Sequence, residues 1–93
     1  MEVRYSITLH PLVTKQDIPR LDTFWRQEVR DVIRAKLTVD PEFFGKPLRN
    51  TLKGWRSLRV GDYRVVFRIE KKHIYVLAII HRADVYKEVE KRI

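Results

Sequence analysis

The chain contains no cysteine. Neither a disulfide nor a thiolate metal site can hold it together, so packing must, and the absence fits a reducing compartment; a cytoplasmic protein is expected. Glycine is almost as scarce. Gly45, Gly54 and Gly61 stand far apart, which excludes the clustered glycines that cradle nucleotide phosphates. The three histidines, His10, His73 and His81, are scattered and never paired at helical ligand spacing, so no metal and no small-molecule cofactor is expected. The two serines, Ser6 and Ser57, fall within strand-like segments rather than at a strand-to-helix elbow, which removes serine hydrolysis. The longest apolar stretch, Ile74 to Ile80, is too short for a membrane span, and Met1-Glu2-Val3-Arg4 does not open a signal peptide.

What is present is enough for one domain spanning 1–93. Hydrophobic residues make up 44% of the chain, sufficient to offset the entropy of ordering a chain of this length. The formal charge is +8, and it is unevenly placed. Residues 1–45 carry seven basic and seven acidic side chains, whereas residues 46–93 carry thirteen and five, so the whole excess lies in the second half. A polyanion would bind such a surface by counterion release. Charge alone does not separate that role from simple solubility.

Periodicity supplies the elements. Val3, Tyr5, Ile7 and Leu9 alternate with polar residues, the pattern of a half-buried strand. Thr14 to Leu21 reads as a short helix capped by Thr14, interrupted by Pro19. Asp22 is an N-cap for a helix whose apolar stripe is Trp25, Val29, Val32, Ile33 and Leu37. Asp40-Pro41 opens a single turn closed by Gly45, and a loop follows through Lys46-Pro47. Trp55 to Val60, Tyr63 to Ile69 and His73 to His81 are strands joined by loops too short for anything but antiparallel pairing. Asp84 to Ile93 forms a last helix, with Val85, Val89 and Ile93 on one face. The predicted fold class is α+β, in the order β-α-α-β-β-β-α with a mainly antiparallel sheet packed against helices.

On that sheet, period two puts Lys53, Trp55, Ser57 and Arg59 on one face of their strand and Arg56, Leu58 and Val60 on the other. Arg64 and Arg68 lie opposite the apolar face of the next strand. His81, Arg82 and Tyr86 gather at the last strand-to-helix junction. Guanidinium forks match phosphates bidentately, and fixed cations stabilise charge that develops during phosphoryl transfer. RNA cleavage suits such groups, because the RNA's 2′-hydroxyl attacks its own phosphate once a base and an acid, such as His81 or Tyr86, are in place. Each residue also has an ordinary structural role: Tyr86 packing the helix, His81 ending a strand, arginines solvated at the surface.

Gly45-Lys46-Pro47-Leu48, Leu52-Lys53-Gly54, Leu58-Arg59-Val60-Gly61-Asp62-Tyr63-Arg64-Val65-Val66 and His81-Arg82-Ala83-Asp84-Val85-Tyr86, in this order, resemble the RelE/ParE toxins of type II toxin-antitoxin systems. With Asp17-Ile18-Pro19-Arg20-Leu21, the similarity covers nearly the whole chain. The resemblance implies a RelE-like fold and a toxin that cuts messenger RNA on the ribosome without a metal and is silenced by a cognate antitoxin. It implies Arg59, Arg64, Arg82 and Tyr86 as catalytic residues; His81 is added on chemical grounds, and Lys53, Arg56 and Arg68 are expected from their charge and place on the sheet as RNA-binding cations. One departure stands out: the best-known nuclease of the group has two alternating lysines before the central arginine, where this strand has Trp55 and Ser57. ParE-like members poison DNA gyrase instead, and a toxin that has lost catalysis would only bind its antitoxin.

Overall fold

The computed structural model describes residues 4–93. A five-stranded sheet in the order β1-β5-β4-β3-β2 forms the centre. Its strands are β1 (Ser6–Leu9), β2 (Lys46–Pro47), β3 (Arg56–Val60), β4 (Tyr63–Glu70) and β5 (His73–His81). All neighbours pair antiparallel except β1 with β5, which run parallel. That parallel pair requires a crossover, and the helical segment between β1 and β2 belongs to it.

This segment contains a π-helical turn at Val13–Asp17 leading into α1 (Ile18–Arg20), then α2 (Thr23–Val32), which continues as a second π-helical turn at Ile33–Leu37. The single-turn α3 (Pro41–Phe44) follows. Thr14 is not the cap expected of it: its hydroxyl donates to Pro11 O and the helical path begins before it. Pro19 sits in the first turn of α1, where a missing N–H costs nothing. Asp22 does cap α2, accepting from Trp25 N at 3.0 Å, and Asp40 caps α3. The last helix, α4 (Val85–Arg92), is entered through a 3₁₀ turn at Arg82–Asp84.

Both faces of the sheet are buried, by different helices. On one face Leu58, Val60, Val65, Phe67, Val76 and Ile79 meet Val13, Leu21, Val29 and Leu37 from the crossover helices. Tyr5, Ile7 and Leu9 pack there, as alternation predicts, while Val3 lies outside the described residues. On the other face Trp55, Val66, Leu77, Ala78 and Ile80 meet Val85 and Val89 of α4. A bulge reconciles the two: Val66 pairs with Ala78 but Phe67 pairs with Val76, so Leu77 is an extra residue that joins Ala78 under α4. Ile93, expected on the buried face, is 54% exposed because α4 ends at Arg92.

Two further departures matter for the site. Lys46-Pro47 is a strand rather than loop, with Lys46 opposite Ser57 and Pro47 opposite Arg56. Lys53 is not on β3: a 3₁₀ turn at Asn50–Leu52 and a left-handed Gly54 (φ 95°) break the chain before the strand begins, so the parity count does not reach it. At the β3–β4 turn Gly61 has φ 59°, and a Cβ there would overlap the Trp25 indole. Gly61→Ala is therefore expected to cost about 2 kcal/mol or more, with a melting temperature lower by roughly 10 °C in a thermal scan. An unchanged melting curve would contradict this packing.

Candidate functional site

Strand register decides which cations meet. Arg59 pairs directly with Arg64, and Lys46 pairs with Ser57, all on the sheet face that α4 only partly covers. Lys46, Ser57, Arg59 and Arg64, with Phe44 and Leu48, line a groove of about 330 Å³. Like charges directly opposite each other repel. The Arg64 guanidinium is accordingly held below its ordinary pKa, first by burial and then by the charges of Arg59 and Arg82, with Asp62 acting the other way. Such a group gains from an anion. Among the described residues neither Lys46 nor Arg59 is paired with a carboxylate, which leaves the groove's charge for a ligand.

The β3–β4 turn organises two arginines. Arg64 Nη1 donates to Gly61 O at 2.9 Å and Tyr63 O at 2.8 Å, which fixes its fork. Arg82 donates its backbone N–H to Asp62 O at 2.8 Å, and its Nε lies 3.9 Å from the Asp62 carboxylate. The Arg82 side chain is exposed, so that ion pair is weak and exchangeable. Tyr86 stands exposed on the first turn of α4, outside the buried row of Val85 and Val89.

His81 is turned elsewhere. It pairs with Tyr63, on the face opposite Arg59 and Arg64, and its ring meets Tyr63 edge-on at 5.8 Å. Its Nδ1 accepts from Ala83 N at 3.1 Å, so that nitrogen is unprotonated and the ring caps the following turn. The other expected cations scatter too. Arg56 binds Gly45 O at 3.1 Å and Glu42 O at 3.4 Å, bracing α3 from below. Arg68 stacks on Trp55 with 4.9 Å between guanidinium carbon and ring centroid, and pairs with Glu70 at 2.6 Å. Trp55 is a core residue, 9% exposed. Among the described residues no three of His, Cys, Asp and Glu converge as a metal-ligating group.

A family model described as the ParE toxin of the type II toxin-antitoxin system, parDE, matches residues 9–86. The chain belongs to the RelE/ParE toxin family. The toxin RelG of Mycobacterium tuberculosis is 33% identical over 87 residues, covering 91% of this chain and 94% of RelG. The toxin RelE of the same organism is 35% identical over 74 residues, covering 77% and 76%. The M. tuberculosis RelBE2 toxin-antitoxin complex superposes with a TM-score of 0.79 at 29% identity, covering 86% of this chain and 100% of that one. The RelB-RelE complex of Methanococcus jannaschii shares the fold at a TM-score of 0.64 and 17% identity, over 86% and 95% of the two chains.

In this RelE/ParE toxin two features had no sequence signal strong enough to single them out. Lys46 enters the groove only because a two-residue strand pairs with β3. The second is a buried clasp behind the site. β1 stops pairing at Val76, leaving the β5 edge open, and Asp17 accepts there from Ile79 N at 2.9 Å. Arg92 of α4 grips the Asp17 carboxylate with two bonds of 2.6 and 2.7 Å and donates to Leu77 O at 3.0 Å. The two side chains are only 1% and 2% exposed. The hydrogen bond to Asp17 raises the Arg92 pKa against the opposing effect of burial. The toxin thereby ties α4, which carries Tyr86, to the helix that precedes α1.

Proposed function

We propose that this chain is the toxin of a type II toxin-antitoxin pair and acts as a ribosome-dependent messenger RNA endoribonuclease. The groove in which Lys46, Arg59 and Arg64 converge on one sheet face carries the reading. A scissile phosphate in that groove would receive cations from neighbouring strands. As the RNA 2′-oxygen bonds to phosphorus and the bond to the 5′-oxygen breaks, negative charge grows on the non-bridging oxygens. Preorganised guanidinium groups stabilise that charge without rearranging. The 2′-hydroxyl loses a proton and the leaving 5′-oxygen gains one, giving a 2′,3′-cyclic phosphate and a 5′-hydroxyl. We assign proton transfer to Tyr86 ahead of His81, whose ring lies on the other face, and give Arg82 the role of a mobile cation at the groove's end.

The relatives solved as toxin-antitoxin complexes support a cognate antitoxin as partner. We place its acidic residues over the cationic groove. On the opposite face, an apolar groove of about 370 Å³ lined by Ile7, Leu9, Leu21, Val29 and Ile33, with Arg30 and Arg34 also lining it, suits an apolar segment of the same chain.

Inducing the protein in cells while following growth and mapping messenger RNA ends by primer extension tests the activity. New cuts within translated frames, absent with Arg82→Ala, are the expected result. Growth arrest with intact transcripts would transfer the assignment to DNA gyrase, a target favoured by the match to the ParE family model and by a core tryptophan where a nuclease lysine would stand. Supercoiling by purified gyrase in the presence of the protein then decides that second reading.

A further inference from the structure

The cationic groove is lined at one side by Phe44, the second of two consecutive phenylalanines that the fold does not use fully. Phe44 is half-buried and lines the groove beside Lys46. Phe43 is 75% exposed, with its ring edge-on to Phe44 at 5.0 Å and an interplanar angle of 88°. In one helical turn, adjacent side chains point about 100° apart, so burying one projects the other. A lone exposed apolar residue is commonplace. This one sits on an unusually well-braced turn.

Asp40 Oδ1 accepts from Phe43 N, Gly45 N donates to Pro41 O at 2.9 Å, and the Arg56 guanidinium binds the Glu42 and Gly45 carbonyls. Pro41 is buried, and a Cβ on Gly45 would overlap the Phe67 ring, so α3 is seated directly on the core. Lys36 Nζ lies 5.3 Å from the Phe44 ring centroid, adding a further cation beside the aromatics. These contacts fix the backbone that carries the exposed Phe43 ring, and Phe44, against which that ring lies, lines the cationic groove. Single-stranded nucleic acid is bound in this way: cations take the backbone while aromatic faces take unstacked bases.

We propose that Phe43, supported by Phe44, is a stacking platform for an unpaired nucleobase of RNA whose phosphate occupies the Lys46–Arg59–Arg64 groove. The inference rests on the phosphate-binding reading and adds the element of substrate that the adjoining surface takes. The backbone beneath the ring needs no ordering on binding, so the base gains stacking at a reduced entropic cost. Recognition is tolerant of base identity, because every base has a π face.

A short single-stranded RNA, 2′-O-methylated throughout to prevent cleavage and carrying one 2-aminopurine, is the probe. At low salt, about 50 mM, the wild-type protein should bind it and quench the 2-aminopurine emission. Phe43→Ala, which changes an exposed side chain and should melt as wild type, is expected to weaken binding about tenfold and abolish quenching, and Phe43→Trp to restore both. Equal affinity and equal quenching in Phe43→Ala would overturn the platform. Binding that depends on Arg59 and Arg64 but never quenches would overturn the platform and leave the phosphate reading standing. No binding by the wild type would overturn both.

Discussion

Asp17→Ala is expected to lower stability by about 3–5 kcal/mol, the cost of leaving one charge of a buried pair without its partner. For a domain of this size that corresponds to a melting temperature lower by roughly 15 °C or more. The carboxylate has three buried bonds, to Ile79 N and to both terminal nitrogens of Arg92, and its side chain is only 1% exposed. Arg92→Met should cost nearly as much, since Asp17 then keeps only the Ile79 N–H. The double variant Asp17→Val/Arg92→Met should recover much of the loss, because two apolar side chains remove both desolvation penalties together; Arg92 Nε is already buried without a partner among the described residues. Chemical denaturation of wild type, Asp17→Val, Arg92→Met and the double variant closes the cycle. A loss below about 1 kcal/mol for Asp17→Ala would mean that α4 is held by Val85 and Val89 alone.

Arg64→Ala should have the largest effect on activity, lowering transcript cleavage about 10²–10³-fold, the usual cost of removing one preorganised charge donor. Arg64→Lys should be nearly as damaging despite keeping the charge. A lysine cannot bond two carbonyls of the β3–β4 turn and still present a second nitrogen to phosphate in a fixed fork. Lys46→Ala should lose less, about tenfold, and its loss should shrink as salt rises, since Lys46 is exposed and acts as a point charge. Purified ribosomes programmed with a defined message give the rates. An Arg64→Lys variant as fast as wild type would show that the site needs charge alone.

The lost charge can be traced to residues that the sequence presented ambiguously. Trp55 and Ser57 stand where the best-known nuclease of the group has lysines, and Lys53 and Arg56 are the nearby cations that the sequence offers for RNA binding. Gly54 takes Lys53 off the strand, and Arg56 is spent on the Gly45 and Glu42 carbonyls. Lys46 arrives from a neighbouring strand instead, directly opposite Ser57. Its motif, Gly45-Lys46-Pro47, was visible in the sequence, but a two-residue strand has no periodicity by which to recognise it. His81 shows the converse. Its place beside Arg82 in sequence suggested a shared site, yet alternation sends its side chain to the face occupied by Tyr63.

The sequence by itself determined the elements that depend on near neighbours along the chain. The stripe from Trp25 to Leu37, the caps at Asp22 and Asp40, the alternation of Tyr5, Ile7 and Leu9, and the β3–β4 turn at Gly61 all reflect local backbone geometry or a side-chain period of 2 or 3.6 residues. The family was legible for the same reason, as an ordered set of short motifs. Only the tertiary structure decided which charges meet. The Arg59–Arg64 pair depends on hairpin register, Lys46 on an edge pairing, and the Asp17–Arg92 clasp on two helices approaching one bulged strand from positions 75 residues apart. Such contacts follow from how both faces of the sheet are buried at once, and no local pattern encodes that.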